Sequence, residues 1–154
     1  MLKRKIIIFL FIFLSSCGYK AMHSIKNNVN YDFSISQLIF VGERDINIRI
    51  KTKLNNYTIV EKDKNFILEI SSNAEKTIIA KDGSGNATSF KSTIKINAKI
   101  ILENNLIKKL EIIEDFNYNN IENQLDLKKY ESEIKINLAE TATDKLIFKL
   151  SNIQ

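Results

Sequence analysis

The chain has 154 residues, 44% of them hydrophobic and 27% charged, with a formal net charge of +5, one cysteine, one histidine and no proline. That length suits one ordinary domain, and with Cys17 and His23 both near the N-terminus, a Ser-His-Asp triad, a Cys-His pair and a histidine-rich zinc site are excluded from its body. Lys3, Arg4 and Lys5 belong to the N-terminal segment, so the remainder carries a net charge of about +2 and its basicity gives no argument for nucleic acid.

Behind that basic start, residues 6–14 form an unbroken apolar run that leads into Leu14-Ser15-Ser16-Cys17-Gly18. A helix needs roughly 20 apolar residues to cross a bilayer, so this shorter run with small residues after it reads as a signal peptide over residues 1–16. Leu14-Ser15-Ser16-Cys17 resembles the lipobox of bacterial lipoproteins. The resemblance implies a diacylglycerol on the Cys17 thiol, cleavage before Cys17 and acylation of the freed amine. Each buried CH₂ contributes about 0.8 kcal/mol, so three acyl chains would hold the protein on a membrane without spanning it. By the sorting rule of such lipoproteins, Gly18 in place of Asp implies the outer membrane, facing the periplasm. The lone cysteine would be consumed by lipid, so packing, with no disulfide, must hold the domain together.

Residues 17–31 are polar and lack an apolar period, which makes them a tether ahead of a domain over residues 32–154. Residues 33–41 alternate and end as a continuous apolar run, the pattern of a strand buried on both faces. Gly42 breaks the run. Glu43 and Asp45 then open a helix to Leu54 with Ile46, Ile50 and Leu54 in one stripe, which Asn55-Asn56 ends. Residues 58–60 fit either a short strand or a connection. A further strand begins at Phe66, Leu68 and Ile70 and continues to Lys81, where Asp82-Gly83-Ser84-Gly85-Asn86 predicts a tight hairpin. No Gly-Lys-Ser or Gly-Lys-Thr follows, so the turn is not read as a phosphate cradle.

The second arm has a strict period of two: Phe90, Ile94, Ile96, Ala98, Ile100 and Leu102 point one way, and Lys91, Thr93, Lys95, Asn97 and Lys99 the other. Its lysine face is either a solvated surface or one that meets anionic head groups. After a turn at Glu103-Asn104-Asn105, residues 106–118 form the last strand, with Leu110, Ile112, Phe116 and Tyr118 on one side. From about Asn123 the period becomes helical, and Leu127, Tyr130, Ile134, Leu138, Ala142, Leu146 and Leu150 make a slanting stripe suited to a long helix across a twisted sheet. The predicted fold is α+β: a two-layer sandwich of a four-stranded, mostly antiparallel sheet and two helices, in the order β-α-β-β-β-α.

With Cys17-Gly18-Tyr19 at the mature start, a strand and helix over residues 33–54, and the hairpin arm Ala87-Thr88-Ser89-Phe90-Lys91, the chain resembles the LptE family of lipopolysaccharide-assembly lipoproteins. That resemblance implies two helices on a four-stranded sheet and a non-enzymatic role without cofactors. It also implies partnership with the outer-membrane β-barrel LptD and help in placing lipopolysaccharide in the outer leaflet. Family members use basic residues for lipopolysaccharide, which makes Lys81, Lys91, Lys95, Lys99, Lys128 and Lys129 the candidates, since lysine pairs with phosphate as a point charge. Two other readings compete: a freestanding lipoprotein holding a small ligand or peptidoglycan between helix and sheet, and a hydrolase using carboxylates such as Glu103, Glu114 and Asp115.

Overall fold

In the computed structural model the described residues are 31–153; the signal segment, Cys17, His23 and the tether to residue 30 lie outside them. In chain order the elements are β1 (Ser34–Gly42), α1 (Arg44–Leu54), a 3-10 turn (Asn55–Tyr57), β2 (Asn65–Lys81), β3 (Ala87–Leu102), β4 (Asn105–Asn119) and α2 (Gln124–Ser151). The α+β sandwich expected from the sequence is the fold observed. The sheet order is β1-β2-β3-β4, with β1 parallel to β2 and the other two pairings antiparallel. A parallel pair needs a crossover, and α1 supplies it.

Period-two alternation sorts the sheet into two faces. Phe66, Leu68 and Ile70 of β2, with Ile94, Ile96, Ala98 and Ile100 of β3, are buried under the helices. Against them α1 sets Ile46, Ile50 and Leu54, and α2 sets Leu127, Ile134, Leu138, Ala142, Leu146 and Leu150. Residues at the interior of such a stripe, such as Ala139 and Thr143, are fully buried as well, and Thr143 keeps its hydroxyl satisfied by donating to the Ala139 carbonyl at 2.6 Å. Asn123 caps α2, its side chain accepting from the Leu125 and Asp126 amides.

Two readings of the apolar pattern need correction. Residues 38–41 are not buried on both faces: β1 is an edge strand, the helices cover only one side of the sheet, and Val41 on the other side is 66% exposed. Phe116, expected in the core, lies on the opposite edge strand and is 46% exposed. Residues 58–60 form a connection, with Ile59 and Val60 exposed.

The turns follow from backbone chemistry. Glu103 and Asn104 both have positive φ, 49° and 64°, and close the pair Leu102–Asn105 as a two-residue hairpin loop. At the other hairpin the Asp82 carboxylate accepts from the amides of Asn86 (2.9 Å) and Ser84 (2.8 Å), and these donors, that of Asn86 foremost, hold its pKa below 3.8.

Candidate binding surface

The β3 lysines lie where the alternation puts them, on the sheet face that no helix covers, but each has an acidic neighbour across the strands. Lys99 Nζ is 2.8 Å from Glu69, Lys95 is 2.7 Å from Glu111 and Lys91 is 3.7 Å from Asp115. The open face is thus a lattice of opposite charges without a net basic field. Lys81 stands apart at the exposed end of β2, beside the Asp82 turn. Lys128 and Lys129 lie in the first turns of α2, and only Lys128 lines the groove between the helices. The six candidate lysines therefore fall on three separate surfaces. Among the carboxylates considered for hydrolysis, Asp115 pairs with Lys91 and Glu114 with Lys145 at 2.5 Å, while Glu103 occupies the tight turn.

Buried apolar side chains fill the centre of the interface between helices and sheet. A concavity of about 490 Å³ lies between α1 and α2, and its lining mixes Glu43, Asp45 and Glu131 with Arg49, Lys128 and Lys135. One wall is fixed by a polar cluster that the sequence reading did not foresee. Glu131 Oε1 accepts from Tyr118 Oη at 2.9 Å and from Lys76 Nζ at 2.5 Å, and Lys76 lies 3.8 Å over the Phe90 ring. Burial and then Glu131 raise the Tyr118 pKa above its usual 10.0. This cluster ties the long hairpin to α2. Lys53 does the same for α1, reaching Asp144 at 2.7 Å and the Glu140 carbonyl at 2.9 Å.

The corner between β1 and α1 is held by sterics and by hydrogen bonds together. Gly42 has φ of +98°, and a Cβ there would overlap the Ser72 carbonyl oxygen. The Glu43 amide donates to that same oxygen at 3.2 Å, Ser72 Oγ donates to Asn47 Oδ1 at 2.7 Å, and Asn47 Nδ2 donates to the Val41 carbonyl at 3.2 Å. These bonds fix where α1 leaves the sheet, and so where Arg44, Ile48 and Lys51 stand relative to Phe40. The sequence signal was faint but present: Arg44 and Arg49 are the only arginines after Arg4, and both fall on α1.

No family model and no curated protein matches the chain. Solved structures match in fold. Rare lipoprotein B from Shewanella oneidensis aligns with a TM-score of 0.60 at 14% identity, covering 75% of this chain and 93% of that one. Lipoprotein B from Nitrosomonas europaea gives 0.59 at 16%, covering 79% and 86%. A minor lipoprotein from Acinetobacter baumannii gives 0.60 at 12%, covering 79% and 91%. At such identities the likeness is one of architecture: this chain has the α+β fold of these bacterial lipoproteins.

Proposed function

We propose that the protein is an outer-membrane lipoprotein, anchored through Cys17 on the periplasmic side, that partners an LptD-like β-barrel and assists lipopolysaccharide insertion into the outer leaflet without catalysing a reaction. The observation that carries this reading is a conjunction: a lipobox-like N-terminus stands before a β-α-β-β-β-α domain whose fold recurs in proteins named as bacterial lipoproteins. A domain with a charge-paired sheet face suits a polar barrel lumen better than a purely basic one would, because opposite charges can exchange partners with lumen side chains of either sign. Of the six candidate lysines for phosphate, Lys81, Lys128 and Lys129 form no ion pair among the described residues.

Affinity purification from detergent-solubilised outer membranes tests it. A large β-barrel should co-purify, and depletion should hold lipopolysaccharide back from the outer leaflet; recovery of the protein as a free monomer from native membranes overturns the reading. A freestanding ligand-binding lipoprotein is the alternative, favoured by the groove between α1 and α2. It requires a bound small molecule in native material, with no barrel alongside.

A further inference from the structure

Beside edge strand β1 the fixed corner leaves a second concavity of about 270 Å³, lined by Phe40, Gly42, Arg44, Asn47, Ile48 and Lys51. Its chemistry differs from that of every other surface described. Two cations and two large apolar side chains line it, and no carboxylate does; Glu43 and Asp45, from the same helix, line the inter-helix groove instead. Asn47 is committed to Val41 and Ser72. No ion pair or side-chain hydrogen bond occupies the Arg44 guanidinium or the Lys51 ammonium among the described residues, so both charges are available to an anion in the groove.

The spacing is also informative. Arg44 and Lys51 are seven residues apart on a helix, so they stand on one side two turns apart, about 10 Å along the axis, with Ile48 between them. Ile48 remains 49% exposed and Phe40 is half-buried. An anion held between the two cations would have apolar surface directly beneath it. A free phosphate would leave that surface wet, whereas an acyl chain would cover it.

We infer that this groove binds an anionic phospholipid, its phosphate between Arg44 and Lys51 and the first methylenes of its chain against Phe40 and Ile48. Arg44 supplies a planar fork that takes two phosphate oxygens, and Lys51 a point charge. The domain thereby has a contact with lipid separate from its N-terminal anchor. This inference does not require a barrel partner, so it and the proposed function can fail independently.

Calorimetric titration of the full chain in a non-ionic detergent tests it, with dihexanoyl phosphatidylglycerol, dihexanoyl phosphatidylcholine and inorganic phosphate as three separate probes. Phosphatidylglycerol should bind at least about tenfold more tightly than either of the others. Arg44→Gln with Lys51→Gln should weaken it by about tenfold or more, while Arg44→Lys with Lys51→Arg should stay within about threefold of wild type. Lys95→Gln with Lys99→Gln, on the charge-paired face, should bind as wild type does. The inference is overturned if phosphatidylcholine or phosphate alone binds equally well, if the neutralised pair loses nothing, or if the β3 variant loses as much. Thermal unfolding of each variant verifies the fold; should the neutralised pair fail to fold, the charge-retaining swap and the ranking of the three probes still decide.

Discussion

Lys95 and Ile96 are neighbours in sequence and lie on opposite sides of the sheet. Ile96 is fully buried under the helices, while Lys95 sits on the uncovered side and reaches Glu111 at 2.7 Å. The covered side gains from removal of apolar area from water, which scales with every methylene buried. The open side gains little from its charges, because the groups stay half in water and cost side-chain entropy to hold. The difference teaches that one alternating pattern performs two separable tasks, cohesion on one side and an adaptable polar exterior on the other.

Substitutions at these two positions make the sharpest contrast. Ile96→Ala should lower the unfolding free energy by about 4 kcal/mol in chemical denaturation, from lost burial and the cavity left behind. A value close to that of a surface site would break the distinction between the two sides. Gly42→Ala should cost about 3 kcal/mol, since the residue is left-handed and the added carbon meets the backbone of Ser72, which cannot swing away. Its effect should reach α1, seen as faster amide exchange there than in α2.

Tyr118→Phe should cost about 1 kcal/mol, removing one hydrogen bond to a carboxylate that keeps Lys76 as partner. The same variant also reports a pH dependence. Folding raises the Tyr118 pKa, by burial first and by Glu131 second, so the native state holds a proton that the unfolded chain gives up. Stability from this group is fully present below pH 10 and falls as pH rises beyond it; the phenylalanine variant should lose that part of the alkaline decline. The smallest effect belongs to Lys95→Ala, about 0.5 kcal/mol, which should shrink further at 1 M salt. A large, salt-independent loss there would mean that the open face contributes to cohesion after all.

Legibility in the sequence followed the locality of the physics. The burial of Ile94, Ile96, Ala98 and Ile100, and the stripe from Leu127 to Leu150, rest on periods within one element and were readable, except at Tyr130, which is 37% exposed and set edge-on to Tyr118. So were the hairpin at Asp82 and the turn at Glu103, where local backbone demands choose the residues. The edge position of β1 was not, because the run of residues 38–41 looks the same whether a second layer covers it or not. Nor were the partners of the β3 lysines: Glu69 is 30 residues from Lys99 across a β2–β3 register that shifts near Ala80, and Glu111 and Asp115 lie across a β3–β4 register that shifts near Ile101. The site at Arg44 and Lys51 was hidden too. Its two cations are ordinary within the period of the helix, and the groove they share with Phe40 and Ile48 exists only once α1 packs beside β1.

The outer margin of β4 offers a last consequence. Fifteen residues long and paired through its backbone ladder only with β3, it leaves an open strand edge flanked by Leu106, Ile107 and Ile113, the ingredients from which stacked fibres grow. Lys108 and Lys109 interrupt that row as gatekeepers, since stacking copies would force like charges together. Two of the chain's many lysines thus guard against self-association: exchanging both for valine should turn a dispersed protein into one that self-assembles.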